Sequence, residues 1–334
     1  MNIGGALRKI IDLYRGKSII TPKDVIHRVY GKIYYPYYDL YNAFDKNGED
    51  DVYNEFGEKL NRYFIRDIHT AFQPNKRGRY ILFDRYDFGL KTHFYSHNCM
   101  LETMGNPDRR YGYLIESESI CPEDYKIFEK HKGLEKDFDL IFTYSDEILN
   151  KVDNARFIQF FAVPFGDVES QIDSENYKKK TKNVSILSSN KAMCEMHKLR
   201  QDLAFYCKRN NLADTYGTFD GGAYIPFSHC LKDYRYFISI ENDIKPYFFT
   251  DKIVSALLLH TIPIYLGATK IDKFFNPDGI IQITKDSNIE EVLKQCTEEE
   301  YNNRLPAIID NYNRALYYCQ SPFDIIYKDY LNKA

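Results

Sequence analysis

Residues 234–283 read YRYFISIENDIKPYFFTDKIVSALLLHTIPIYLGATKIDKFFNPDGIIQI, and the order of elements in this stretch decides the fold. Tyr236 to Ile240 alternate and favour a strand, which ends on the polar pair Glu241 and Asn242. After a loop holding Pro246, Thr250 is placed to cap a helix. Asp251 and Lys252 fill its first turn, and Ile253, Val254, Leu257 and Leu258 recur at helical spacing. Ile262 to Leu266 follow as a second strand closed by Gly267. Strand, helix and strand in this order predict an α/β fold, in which ligands sit beyond the carboxyl ends of the strands, where helix N-termini present free N–H groups. Glu241, Asn242, Thr250, Asp251 and Lys252 all fall on that rim.

Working outward, 334 residues suffice for two domains with a core each. The 45 Lys and Arg nearly balance 48 Asp and Glu, so no electrostatic footprint for nucleic acid is expected. Seven scattered cysteines contain no CxxC pair, which favours reduced thiols in a cytoplasmic setting over a disulfide framework or zinc site. Ile10 to Leu13 is too short an apolar run for a signal peptide, and the run from Ile253 to Leu266 is broken by His260 and Pro263, so no transmembrane segment is expected. Arg8, Lys9, Arg15 and Lys17 leave open a peripheral membrane contact.

Residues 1–75 are Tyr-rich, with IIDLY and KIYYPYYDLYNAF as apolar runs of undecided type and an acidic loop from Asp45 to Asp51. RYILFDRYDF reads as a strand and GLKTHFYSHNCMLETMG as loop and helix. His93 and His97 stand four apart, but the H-E-x-x-H pattern is missing and no metal site is assigned; His93 is expected to be packed or to contact an acceptor. Tyr111 to Ile115 form a strand with Glu116 and Glu118 at its end. Two carboxylates on one side of an extended segment repel, which suits a general base, while the alternative is an acidic loop ahead of the helix Glu123 to Lys130. Phe138 to Tyr144, SDEILNKV and ARFIQFFAVPF continue the alternation toward a parallel sheet.

The polar run after Gly166 predicts an interdomain linker, set at 169–183 between an N-terminal unit of 1–168 and a C-terminal one of 184–315, with 316–334 as a terminal helix that packs back on the first unit. Val184 to Asn190 is a strand ending in Ser189 and Asn190, and the helix after it carries Arg200. The loop TYGTFDGG contains Gly217 but neither GxGxxG nor GK[ST], which argues against a nicotinamide enzyme and an NTPase.

The run Ile240-Glu241-Asn242, followed by Phe248-Phe249-Thr250-Asp251-Lys252 and then HTIPIYLGA, resembles the FEN and YVTEK signature of family 10 glycosyltransferases, the α1,3-fucosyltransferases, in their soluble bacterial or viral form. Ile240 replaces the usual Phe and Asp251 the usual Glu. Glu-Ser-Glu-Ser at 116–119 resembles the family's E-N-E-S-P segment, with Pro122 four residues after Glu118 instead of two. The resemblance implies a GT-B fold of two Rossmann-like domains facing a cleft, an N-terminal one for the acceptor and a C-terminal one for the nucleotide sugar.

The same resemblance implies an inverting glycosyltransferase that moves fucose from GDP-fucose to a glycan hydroxyl. Glu116 would be the catalytic base and Glu118 its support. Donor-binding residues would be Ser189, Asn190, Arg200, Gly217, Glu241, Asn242, Phe248, Thr250, Asp251 and Lys252, with His93 on the acceptor side. With no DxD after a strand, only Asp137-Phe138-Asp139 before one, the diphosphate is expected to meet protein cations, with no required cofactor and a divalent metal at most stimulatory. A different deoxysugar nucleotide on the same fold, and a non-catalytic nucleotide- or glycan-binding protein, are the alternative readings.

Overall fold

The computed structural model describes residues 54, 57–67, 79–84, 87 and 89–332. IIDLY, KIYYPYYDLYNAF, the loop 45–51 and the basic residues before position 18 lie outside them, as does part of RYILFDRYDF. Among the described residues the strands form two sheets, both parallel throughout. The first holds β1 (Asn61–Arg66), β2 (Ile81–Asp84), β3 (Thr92–Ser96), β4 (Arg109–Tyr113), β5 (Leu140–Thr143) and β6 (Ala155–Phe157), in the order β2-β1-β3-β4-β5-β6. The second holds β7 (Lys182–Leu187), β8 (Asp214–Tyr216), β9 (Tyr234–Ile240), β10 (Ile262–Leu266) and β11 (Ile281–Gln282), in the order β11-β10-β9-β7-β8. This is the α/β architecture expected, and Phe138 to Tyr144, Val184 to Asn190 and Ile262 to Leu266 fall on strands.

Parallel strands covered on both faces read as continuous apolar runs. β9 and β10 meet that condition, since every residue of both is buried. Helix Asp251–Leu258 crosses between them, and Ile253, Val254, Leu257 and Leu258 pack with Phe249, Tyr265 and Phe275. The Thr250 hydroxyl caps its first turn by accepting the Lys252 N–H at 3.3 Å. β10 ends at once in Gly267, where an added Cβ would stand 2.5 Å from the Glu241 side chain. Only glycine lets β9 and β10 end side by side there.

The segment GLKTHFYSHNCMLETMG departs from its expected loop and helix. Thr92 to Ser96 are a central strand, followed by a 3-10 turn over His97–Leu101. Phe94 and Tyr95 favour extended backbone, and their burial between neighbouring strands overrides the four-residue histidine spacing that suggests a helix. Residues 169–183, polar in sequence, are clamped. Asn176 Nδ2 donates to the carbonyls of Lys232 (3.0 Å) and Leu259 (2.8 Å), and buried Lys180 donates to Leu231 O (2.9 Å) and Thr261 Oγ1 (2.8 Å). Burial holds the Lys180 amine well below its ordinary value.

The chain's last helices close the first sheet. Phe323, on helix Pro322–Ile326, packs edge-on against Phe83, Phe94 and Tyr113. Asp324 accepts the N–H groups of Arg79 (2.8 Å) and Tyr80 (3.1 Å) just before β2. Residues more than two hundred positions apart thus complete one core.

Candidate functional site

Beyond the carboxyl ends of β7, β8 and β9 lies a cavity of about 410 Å³. Its walls include Ser188, Ser189 and Asn190 after β7, Gly217 and Thr218 after β8, Asn242 after β9, His197 and Arg200 from helix Glu195–Arg209, and Asp251 and Lys252 from the start of helix Asp251–Leu258. Of the sequence-predicted donor residues, seven line this cavity, namely Ser189, Asn190, Arg200, Gly217, Asn242, Asp251 and Lys252.

Gly217 adopts φ +102°, a left-handed conformation that favours glycine. A Cβ at that position would meet the Ser188 carbonyl oxygen at 2.1 Å. The cavity floor therefore depends on two backbones passing in contact.

The charged wall has an unusual feature. Arg200 Nη2 donates to Asn242 Oδ1 at 2.8 Å, but its Nε is buried without a hydrogen-bond partner. Asp251 likewise has a buried Oδ2 with no partner, and burial, opposed by neighbouring Lys252, pushes its carboxyl up to about 6. Burial also lowers the Arg200 guanidinium from its ordinary value, and it lowers His197, helped by Arg200 and Lys252. Buried polar atoms in folded proteins are almost always bonded, and these two unpartnered atoms belong to residues that line the same cavity.

Glu241 and Thr250 sit beneath the wall instead of in it. Glu241 is fully buried; its carboxylate accepts the Thr250 N–H (2.8 Å) and Oγ1–H (2.7 Å) and faces Lys252 Nζ at 3.3 Å. It ties the end of β9 to the helix start and balances the lysine charge. Phe248 is not at the cavity either. It is buried in the core of the first sheet, 4.8 Å from the Tyr144 ring, so stacking on a nucleotide is not available to it in this arrangement. Phe248 and Phe249, adjacent in this loop, divide between two cores, a choice set by packing that the sequence does not display.

The second cluster is the loop after β4. Glu116 Oε1 accepts the Ser117 N–H at 2.8 Å, and Glu118 Oε2 pairs with Lys245 Nζ at 2.6 Å. The two carboxylates thus turn to different partners, where the sequence suggested mutual repulsion. The loop nonetheless reaches the second sheet. Ser119 donates its N–H to Asp243 Oδ2 (3.0 Å) and its hydroxyl to the Asn242 carbonyl (2.7 Å). Glu116 therefore stands three residues from a direct contact with the residue that holds Arg200, although it does not itself line the cavity.

His93 is corrected. Its ring is fully buried, bonded to Tyr95 Oη (2.8 Å) and the Leu90 carbonyl (2.8 Å), and is a core residue with no surface for an acceptor. Among the described residues no group of three or more His, Cys, Asp or Glu is arranged to hold a metal ion. None of their helices is long and apolar enough to cross a membrane. His197, Lys191, Tyr224, Phe165 and Phe227 line the cavity and were missed. His197 had a usable signal, since it precedes Arg200 by one helical turn and shares its face; the aromatics come from loops without periodicity.

Residues 177–304 match the sequence profile of the C-terminal part of glycosyltransferase family 10 (fucosyltransferase). An alpha-(1,3)-fucosyltransferase FucT of Helicobacter pylori is 33% identical over 63 residues, which are 19% of this chain and 13% of that protein. A crystal structure of an alpha1,3-fucosyltransferase with GDP-fucose aligns over 81% of this chain and 91% of its own, at 15% identity and a TM-score of 0.46. A Staphylococcus aureus TarM mutant solved with UDP aligns over 72% of this chain and 53% of its own, at 12% identity and a TM-score of 0.42.

Proposed function

We propose that this chain, whose residues 177–304 match the C-terminal part of glycosyltransferase family 10, is a member of that family and transfers fucose, with inversion, from GDP-fucose to a hydroxyl of a glycan. The observation that carries this reading is the convergence of Arg200, Asn242, Asp251 and Lys252 on one cavity that retains two unbonded buried polar atoms. Lys252, Arg200 and the N-terminus of helix Asp251–Leu258 offer positive charge to a diphosphate, and Asp251 offers a carboxylate to a sugar diol.

In the step proposed, the acceptor oxygen forms a bond to the anomeric carbon as that carbon's bond to the diphosphate breaks. The electron pair leaves with the nucleoside diphosphate and the acceptor proton passes to Glu116. The transition state carries positive charge on the sugar and growing negative charge on the diphosphate, where preplaced cations act most strongly. Charge neutralisation is assigned to the chain's own cations, with a divalent ion at most stimulatory. Cys99, Cys121, Cys194, Cys207, Cys230 and Cys296 are free thiols, which suits a reducing, cytoplasmic setting for glycan synthesis.

One observation favours a second reading, a nucleotide-binding protein without turnover: Glu116 lies outside the cavity lining. Thermal unfolding with GDP, UDP, dTDP and CMP, on wild type and Lys252→Ala, tests the donor first. Ligand at ~100 times its dissociation constant adds about 2.7 kcal/mol, a shift of a few degrees for a chain of this size. A response to GDP that the variant loses is expected; response to another nucleotide moves the donor, and silence across all four overturns the site. Consumption of GDP-fucose with an oligosaccharide acceptor then separates transferase from binding protein.

A further inference from the structure

The backbone of Glu116 is gripped at both ends by buried side chains. His97, directly after β3, has no exposed surface and adopts φ +47°, a left-handed conformation that a non-glycine residue keeps only where its surroundings fix it. Its Nε2 accepts the N–H of Ile115 at 3.0 Å and that of Glu116 at 3.2 Å. An accepting ring nitrogen carries no proton, so the imidazole hydrogen of this arrangement is on Nδ1, which lies 3.0 Å from Asp124 Oδ2. That contact is a close electrostatic approach and not a straight hydrogen bond. Tyr125, the next residue, donates its hydroxyl to the Glu116 carbonyl and stands edge-on to the His97 ring, with centroids 6.4 Å apart. Both backbone groups of Glu116 are thereby held by buried side chains beside the first sheet, while its carboxylate bonds only the neighbouring Ser117 N–H among the contacts described above.

We infer that His97 is a positioning residue for the transfer step, which through Nε2 fixes the main chain of Glu116 and so the place from which that carboxylate meets the acceptor hydroxyl. The inference rests on the assignment of Glu116 as the base. A histidine that merely filled space would not need an acceptor nitrogen aimed at two consecutive N–H groups of the candidate base. A displacement of the base by an ångström is enough to lose much of a proton-transfer step while leaving a separate donor cavity intact.

The test compares His97→Gln, His97→Asn and His97→Leu by GDP-fucose turnover and by GDP affinity. Glutamine extends its amide oxygen to where Nε2 stands and keeps an acceptor for the two N–H groups; asparagine is too short and leucine has none. Turnover is expected to fall by about 30-fold or more in the Asn and Leu variants and by no more than about 3-fold in the Gln variant, with the GDP dissociation constant unchanged in all three. Equal turnover of the Asn and Gln variants, or loss of GDP binding in step with turnover, overturns the inference. If Leu does not fold, the Asn and Gln pair decides. If none folds, amide exchange in the wild type decides: slow exchange at Ile115 and Glu116 supports the grip, and fast exchange overturns it. Glu116→Gln, run alongside, separates the two readings. An active Glu116→Gln removes the base assignment itself, whereas an inactive one beside a fully active His97→Asn sinks the positioning role alone.

Discussion

The two loops that meet at Ser119 and Asn242 are built by opposite means. On the second sheet, the rim after β9 gathers Arg200, Asp251 and Lys252 around a cavity and leaves Arg200 Nε and Asp251 Oδ2 unbonded. On the first sheet, the loop after β4 is held closely, with Glu116 N–H on His97, its carbonyl on Tyr125 and the Glu118 N–H on the Tyr144 hydroxyl at 2.8 Å. The difference teaches where each half keeps its free energy. If the first is the donor site proposed above, it stays incomplete at a cost to stability until a charged ligand binds, whereas the second, as the proposed seat of the base, is completed by the fold beforehand.

The sharpest way to break this contrast is Glu116→Gln. It should lower turnover by a factor on the order of 100 or more while GDP still shifts the unfolding temperature. Unchanged turnover would leave the first rim with no catalytic part.

The incomplete donor wall makes a pH-dependent claim about stability. The folded carboxyl of Asp251 is raised to about 6 from an ordinary value of 3.8, so the unfolded chain releases that proton first. Stability is fully present below the unfolded value and is lost as pH rises through about 6. Asp251→Asn should therefore stabilise the ligand-free protein at pH 7 by on the order of 2 kcal/mol, and the gain should vanish near pH 4. Denaturant unfolding at the two pH values checks this, and a pH-independent effect would show that the buried charge is not the cause.

Gly217→Ala tests whether the donor floor needs its backbone contact. Strain at positive φ and the clash with the Ser188 carbonyl should cost about 1–2 kcal/mol and weaken GDP binding while the Glu116 loop is untouched. Equilibrium unfolding beside GDP titration reads both; full affinity for GDP would remove the close approach from the site.

The smallest effect is expected at the seam. Lys245→Met removes the pairing with Glu118, in which both side chains are partly exposed, and should cost less than about 1 kcal/mol in stability. Turnover is the informative readout: a drop well beyond that small stability loss would mean that the two rims are coupled through the seam.

Much of the cavity wall was legible because it is local. Strand β9, the Thr250 cap and the helix that follows lie within one short run, and apolar periodicity with capping chemistry fixes which residues reach the rim. Arg200 stood out only through the resemblance to a family arginine on the helix after β7. Glu116 and Glu118 were legible as a pair at a strand end, but their divergence was not, since Lys245 reaches Glu118 only once the two sheets are assembled.

The sequence by itself determined the alternation of strands and helices, the absence of nicotinamide and P-loop signatures, and which polar residues stand at the ends of β7 and β9. Tertiary structure alone decided that His93 is core, that His97 accepts the N–H groups of the loop after β4, that Phe248 belongs to the first sheet's core, and that Glu241 lies beneath the cavity. The physical reason is range. Periodicity and caps act within a few residues, whereas burial and hydrogen-bond partnership depend on neighbours tens to hundreds of positions away.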